Sequence, residues 1–379
     1  MYRHLVTPLI LAILLITSVF GCQQPQLTAS TKQQINSSNI TADTLITGLN
    51  APWSFDFAPD GRVFITERPG QIRVVEGGKL LAEPWFTQNV STGGERGLLG
   101  LALDPLFAQN GFIYIAYTHS TANGIGNRLV RLREDISIKK GVEDKIILDG
   151  MRGSSNHDGG RVKFGPDGKL YLTMGDSEMP DLAQDITSLN GKILRINSDG
   201  SIPDDNPFPS SPVYSYGHRN PQGLAWEPGT GRLYETEHGP SGIFKGIGQD
   251  EVNLIEAGKN YGWPLVSGNE TKEGTVPPII QSTQSETWAP TGATFVRGGI
   301  WDGSLIFTGL RGETLYRLLI DKNDPRKVSV FERNLTDKFG RLRDVVQGPD
   351  KQIYILTCNR DGRGQPTADD DRLIRLNIR

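Results

Sequence analysis

Val162-Lys163-Phe164-Gly165-Pro166-Asp167-Gly168-Lys169-Leu170-Tyr171-Leu172-Thr173 is the stretch on which the fold class turns. Alternation on either side of Pro-Asp-Gly marks two half-buried strands, and proline with glycine pre-sets the tight turn between them. The same grammar stands at Phe55-Asp56-Phe57-Ala58-Pro59-Asp60-Gly61-Arg62-Val63-Phe64-Ile65-Thr66. Looser copies surround Pro105 (101–117), Pro228 (224–236) and Pro349 (345–357), and a proline-free copy at Asp302-Gly303 (294–308) fills the widest gap. Six copies over about 330 residues make roughly 55 residues each, the scale of a propeller blade. Their uneven spacing puts the variable length into inter-strand loops, where function tends to reside. The sequence therefore predicts an all-β, six-bladed β-propeller with long inter-strand loops. Residues 44–48 and 372–378 read as strands that pair and close the ring. A β-sandwich array is the competing architecture, and it leaves the turn-centred repeat unexplained. Residues 182–189 have room for one or two helical turns.

Composition agrees. The chain of 379 residues holds 45 glycines and a hydrophobic share of 36%, a balance that favours short strands and turns over helices. A formal net charge of −3 gives no global attraction to nucleic acid, and no local basic patch replaces it. Residues 1–21 read as a lipoprotein-type signal peptide: Arg3, a largely apolar run from Leu5 to Phe20, then Gly21-Cys22. That run is about 16 residues, short for a membrane span and suited to a signal segment. Cys22 is the expected lipid-modified residue, although Phe20 stands where a small residue is usual; an ordinary secretory signal is the alternative. Residues 22–42 are polar and read as a flexible tether, leaving 43–379 as the propeller. The expected location is outside the cytoplasm, periplasmic or in the cell envelope, touching membrane only through the lipid on Cys22. Cys358, the other cysteine, then has no disulfide partner and reads as a buried strand residue.

Chemistry-bearing residues concentrate in three places. Gly217-His218-Arg219-Asn220-Pro221 sets a cation and an amide beside backbone breakers, and Gly239-Pro240 ends a strand-like run. Asp250-Glu251 and Tyr261 add hard oxygen atoms of the type calcium prefers. His157, in the loop Gly153-Ser154-Ser155-Asn156-His157-Asp158-Gly159-Gly160, is a candidate general base, and Asp176 is placed to orient it. A structural loop histidine is the plain alternative. Arg219, Arg311 and the pair Arg341 and Arg343 sit at loop ends in three different repeats; on one rim they would make a pocket for planar carboxylates. The histidines lack metal-ligand spacing, no Gly-x-Ser-x-Gly motif accompanies Ser154 and Ser155, and no nucleotide fingerprint appears.

Taken in order, GLLGLALDP (97–105), NHDGGRVKFGPDGKLYLTMGD (156–176), GKILRINSDGSIPDDNPF (191–208), YGHRNPQGLAW (216–226), EHGP (237–240), DEVNLIEAGKNYGWP (250–264) and GRLRDV (340–345) resemble the soluble quinoprotein glucose/aldose sugar dehydrogenases. Those are six-bladed propellers that use pyrroloquinoline quinone (PQQ) and calcium. The resemblance spans nearly the whole predicted propeller, residues 49–378. It implies oxidation of the anomeric hydroxyl of aldoses to lactones, with His157 as the base and Asp176 as its orienting carboxylate. It implies Glu95, Arg219, Asn220, Arg311, Arg341 and Arg343 around the cofactor. Gly239 and Pro240 match carbonyl ligands of a cofactor-side calcium, and Glu251 and Tyr261 match ligands of a second, structural calcium. Trp288 reads as a strand-end aromatic in the core, with stacking on the sugar as its alternative. The implied partners are an aldose, a separate electron acceptor and at most one further copy of the chain, as monomer or homodimer.

Three positions depart from the glucose-oxidising members. Glu95 replaces a glutamine, and a carboxylate beside an anionic cofactor is repulsive unless protonated or paired with Arg96. Arg311 replaces a lysine, and Asn156 replaces an acid. A calcium-dependent propeller lactonase or hydrolase and a non-enzymatic binding propeller stay open as alternatives.

Overall fold

The computed structural model describes residues 40–240 and 248–379. The signal-peptide reading (1–21) and the tether up to residue 39 lie outside them. Six antiparallel sheets follow one another along the chain. Blade 1 runs Pro52–Phe57, Val63–Glu67, Gln71–Glu76 and Lys79–Leu80, with the short strand Phe86–Thr87 added to the third. Blade 2 is Leu98–Leu103, Phe112–Thr121, Gly124–Asp135 and Lys140–Arg152; blade 3 is Val162–Phe164, Leu170–Met174, Lys192–Ile196 and Val213–Tyr216. Blade 4 is Pro221–Trp226, Leu233–Glu237, Glu251–Ile255 and Ile280–Gln281; blade 5 is Pro290–Phe295, Ser304–Gly309, Thr314–Ile320 and Val328–Asn334. Blade 6 joins Leu342–Gln347, Ile353–Thr357 and Leu373–Ile378 to the first strand of the chain, Ile40–Ile46.

That last pairing closes the ring. Its register runs from Ile40 opposite Ile378 to Ile46 opposite Leu373. Closure removes the open sheet edges that would otherwise template association. The strand begins at Ile40, inside the stretch predicted as tether. The expected helix over 182–189 is replaced by a 3-10 turn at Pro180–Ala183. Beyond it, Asp185 accepts the Thr187 N–H at 2.9 Å and its hydroxyl at 2.7 Å, a local alternative to helical bonding.

Each of the six sequence repeats is the inner hairpin of one blade. The turn chemistry repeats with it. Asp60, Asp167 and Asp350 each accept the backbone N–H two residues on, at 3.1 Å. The next position takes a positive φ: +88° at Gly61, +72° at Gly168 and +66° at Lys351. Both faces of every blade are covered by neighbours, so six apolar clusters fill the six gaps. Leu98, Ile113 and Val130 meet Phe64 and Ile72 between blades 1 and 2, and Leu356 and Leu373 meet Phe55 and Ile65 where the ring closes. The other four lie between blades 2 and 3, 3 and 4, 4 and 5, and 5 and 6.

The axis is polar instead. Arg161, fully buried just before blade 3, donates to Asp344 Oδ2 of blade 6 at 2.9 Å, Ser54 Oγ of blade 1 at 3.0 Å and the Gln222 carbonyl of blade 4 at 2.8 Å. Lys163 reaches the Leu224 and Ala293 carbonyls of blades 4 and 5 at 3.1 and 2.8 Å. Asp56 accepts the Leu103 N–H of blade 2 at 3.2 Å. All six inner strands are thus tied across the centre. Blade 5 must approach closely there: a Cβ at Gly292 would lie 1.8 Å from Asp344 Oδ1.

In a hairpin whose turn lies on one rim, the residues before the first strand and after the second lie on the other. Residues 93–96, 153–160, 217–220 and 340–341 precede inner strands, and 175–178, 238–240, 310–312 and 358–364 follow second strands. The topology therefore delivers all these segments to one rim, opposite the Asp-Gly turns.

Breaking the axial pair from one side leaves a buried charge alone, which costs about 3–5 kcal/mol. Arg161→Met is expected to lower the unfolding free energy by that amount in urea titration, whereas Arg161→Met/Asp344→Leu recovers most of it.

Candidate functional site

A cavity of about 460 Å³ opens on that rim. His157, Glu95, Arg219, Arg311, Arg341, Gly239 and Pro240, all singled out by sequence, line it together with Glu178, His238, Asp250 and Arg363. A narrow recess beside it adds Trp53, Asp158, Gln222 and Arg343.

His157 sits at φ +62°, a left-handed conformation that costs an L-residue about 1–2 kcal/mol. Its surroundings hold it there. The His157 N–H donates to Glu95 Oε2 at 3.0 Å, its carbonyl accepts the Ser177 N–H at 3.1 Å, and Nδ1 lies 2.8 Å from Asp176 Oδ1. Gly175 permits the approach, since a Cβ there would stand 2.1 Å from the His157 carbonyl oxygen. Asp176 is fully buried and accepts twice more, from the Glu178 N–H and from Trp263 Nε1, each at 2.8 Å. A carboxylate can only accept, so Asp176 assigns the proton to Nδ1 and leaves Nε2 as the acceptor nitrogen. Ser154, the sequence-level neighbour of a hydrolase reading, gives its hydroxyl to Glu178 instead of the imidazole.

The cationic wall is partly prepaired. Arg341 binds Asp361 Oδ2 through Nε at 3.1 Å and Nη2 at 2.8 Å. Arg219 packs 5.5 Å from the Trp263 ring centroid and donates to the His238 carbonyl at 3.3 Å. Arg343 lies in the recess, not on the main cavity wall. Its Nη1 donates to Gln222 Oε1 at 2.9 Å, while Nε is buried without a hydrogen-bond partner among the described residues. Among the described residues His238 Nε2 is likewise buried and has no hydrogen-bond partner, and burial pushes that ring down to about 3, so it is neutral near pH 7.

Several expectations need correction. Asn220 is buried behind the wall, accepting the Gly159 N–H at 3.1 Å and donating to Glu95 at 3.3 Å, so it braces the site and does not line it. Trp288 is 1% exposed and packs on Phe331, Tyr316 and Phe307 in the blade 4–5 core, which its flanking residues Thr287 and Ala289 separate from the cavity they line. It cannot stack on a ligand there. Glu95 does not pair with Arg96, whose Nε turns back to the Gly93 carbonyl at 3.0 Å in the tight turn they share. Arg363 pairs with Glu95 instead, at 2.9 Å. Burial raises the Glu95 pKa, but the His238 and His157 imidazoles, the His157 N–H and Arg363 outweigh it and hold the carboxyl at about 2.

Glu251 and Tyr261 lie away from the cavity, in a buried acidic patch of blade 4. Glu237 stands opposite Glu251, and Glu235 opposite Asn253, in adjacent strands. His218 Nδ1 lies 2.8 Å from Glu237, and Tyr261 stacks on that imidazole at 4.9 Å. The Tyr261 hydroxyl is engaged by the Leu254 carbonyl and the Glu256 N–H, which leaves only its own carbonyl as a possible ligand. Burial and the neighbouring carboxylate Glu237 push Glu251 up to about 8 and Glu235 well above the usual range. Among the described residues Glu235 Oε1 has no hydrogen-bond partner, and His218, Glu235 and Glu237 offer ligand atoms within 4.8 Å of one another. Sequence reading passed over Glu235 and Glu237, although their i, i+2 spacing in a strand places both on one face.

The donor set suits a flat polycarboxylate: guanidinium groups on the wall, an unpartnered Arg343 Nε in the recess and a neutral His238. Gly239 and Pro240 reach the same wall. Asp250, directly behind, accepts the Gly239 N–H at 2.9 Å.

The family model for glucose/sorbosone dehydrogenase matches residues 49–375. A solved Thermus thermophilus oxidoreductase described as a glucose dehydrogenase is 43% identical, covering 89% of this chain and 100% of that one, with a TM-score of 0.83. The PQQ-bound aldose sugar dehydrogenase of Streptomyces coelicolor is 35% identical, covering 90% and 98%, with a TM-score of 0.79. Quinoprotein glucose dehydrogenase B of Acinetobacter calcoaceticus is 30% identical over 98% of this chain and 96% of its own length.

A methyl group at Gly175 would have to displace the His157 carbonyl. Overpacking of this kind costs about 1–3 kcal/mol, so Gly175→Ala is expected to lower the denaturant midpoint by a corresponding amount. The control is Gly348→Ala, beside the blade 6 turn on the opposite rim, where a Cβ would meet the Tyr354 ring at 2.6 Å. Both variants should lose stability, and only Gly175→Ala should alter the reactivity of the His157 imidazole toward diethyl pyrocarbonate.

Proposed function

The chain belongs to the glucose/sorbosone dehydrogenase family, and we propose that it uses PQQ and calcium to oxidise the anomeric hydroxyl of aldoses to lactones. The observation that carries this reading is the His157–Asp176 pair, at 2.8 Å, on the wall of the cavity that Arg219, Arg311 and Arg341 also line. A PQQ-bound relative of the same fold supports the cofactor assignment.

His157 takes the proton of the C1 hydroxyl at Nε2, the nitrogen its bond to Asp176 leaves open. Asp176 fixes the ring and stabilises the imidazolium that results, as an acceptor buried among donors. Arg219, Arg311, Arg341 and, from the recess, Arg343 offset the carboxylates of the cofactor, and the Gly239 and Pro240 carbonyls face the same cavity as candidate calcium ligands. When bound, the quinone supplies the two-electron sink for hydride leaving C1, with calcium as the Lewis acid on its carbonyl. The lactone forms as C1 loses hydride and its hydroxyl loses the proton. Glu251 and the Tyr261 carbonyl, beside Glu235 and Glu237, are proposed for a second, structural calcium, which would relieve the repulsion among three buried carboxylates.

Among the described residues no helix is long and apolar enough to cross a membrane. Export to the periplasm or cell envelope with lipid attachment at Cys22 completes the proposal and rests on the leader and tether of the sequence.

Purified protein loaded with PQQ and calcium should reduce a redox dye when aldoses are added, and a calcium chelator should abolish the activity. His157→Ala is expected to lower kcat by about 100-fold or more while the apoprotein still binds quinone. Asp176→Asn should lower kcat in the same direction. Quinone-independent turnover of lactones, or dye reduction indifferent to His157→Ala, would overturn the reading.

A further inference from the structure

We propose that Arg363 is a positioning residue for His157, clamping the loop that carries the imidazole through Glu95 on one side and Asn156 on the other. The inference rests on the proposed role of His157. Arg363 extends from the loop after the second strand of blade 6, in Asp361-Gly362-Arg363-Gly364. Its Nη1 donates to Glu95 Oε1 at 2.9 Å and its Nη2 to Asn156 Oδ1 at 2.8 Å. Those acceptors stand on loops leading into blades 2 and 3, so one guanidinium fork joins three blades at the cavity rim.

Both prongs lead on to the base. Glu95 Oε2 accepts the His157 N–H at 3.0 Å. Asn156, the preceding residue, donates through Nδ2 to Glu178 Oε1 at 3.0 Å, and the Glu178 N–H donates to Asp176 Oδ1 at 2.8 Å. Asp176 in turn holds His157 Nδ1. Arg363, Glu95, His157, Asp176, Glu178 and Asn156 therefore form a closed circuit of hydrogen bonds around a residue at φ +62°.

An ordinary surface ion pair contributes little, and the Arg363 side chain is 49% exposed. The circuit is different in kind. A left-handed histidine relaxes unless its surroundings over-determine it, and a base displaced by about 1 Å can lose about 100-fold in rate. Glu95 and Asn156 are also two of the three rim positions, with Arg311, at which the sequence departs from the glucose-oxidising pattern. Arg363 bridges both, which gives the carboxylate of Glu95 its counter-charge and turns the amide of Asn156 toward the clamp.

Arg363→Ala is expected to lower kcat for aldoses about 10- to 100-fold, with recovery when millimolar guanidinium is added to fill the vacated position. In the cofactor-free protein, the rate at which diethyl pyrocarbonate modifies His157, followed by mass spectrometry, should rise severalfold and fall again with guanidinium. His119, on the second strand of blade 2 and outside the hydrogen-bond circuit, should react at an unchanged rate. Unchanged kcat and unchanged His157 modification would overturn the assignment. So would a loss of activity that guanidinium leaves unrescued and that comes with a general fall in thermal stability. If His157→Ala itself leaves turnover intact, the proposed function fails, while the modification arm still reports on the clamp.

Discussion

One buried ion pair sits where all the inner strands meet. Arg161 and Asp344, each side chain 1% exposed, join blades 3 and 6 at 2.9 Å, and Arg161 extends the connection to blades 1 and 4. A ring of sheets with apolar interfaces is tolerant of small rotations, because apolar contact has little directionality. A guanidinium with three fixed acceptors is not tolerant. The pair therefore sets the blades in register around the axis, and that register determines which loops face each other across the rim.

The site follows from it. The base loop reaches the cavity before blade 3, the Arg219 loop before blade 4 and the Arg341 loop before blade 6, while Asp176, Gly239 and Arg363 come from segments leaving second strands. No single blade holds a working set of groups. Rotation of one blade against another would separate His157 from its partner Glu95, or Arg363 from Asn156. The rigid axis and the strained, hydrogen-bonded rim are two parts of one arrangement, with the inner hairpins as the link between them.

Much of this was legible in the sequence, for reasons that can be named. The six turn-centred repeats mark the six inner hairpins, most clearly at Asp60, Asp167 and Asp350, where an aspartate that accepts the N–H two residues on and a positive-φ neighbour leave a local signature. His157 and Asp176 were readable because a loop histidine and a carboxylate after the next strand fall on one rim of a propeller hairpin. Motif position says which loop Asn220 and Trp288 belong to but not which way their side chains turn. Asn220 turns inward to tie Gly159 to Glu95, and Trp288 turns into a cluster of aromatic rings. Arg363 was passed over because its partners are 268 and 207 residues away in sequence. Its glycine-flanked place after the second strand of the last repeat was the available signal.

One cavity, assembled from loops of several blades, is proposed to seat a planar anionic quinone between His157 and the arginines. A crystal structure of the protein soaked with PQQ and calcium tests it most directly. Density for the quinone is expected within the cavity lined by His157, Arg219, Arg311 and Arg341, with a calcium ion at the Gly239 and Pro240 carbonyls. Quinone density elsewhere, or a cavity that stays empty at saturating quinone, would contradict it.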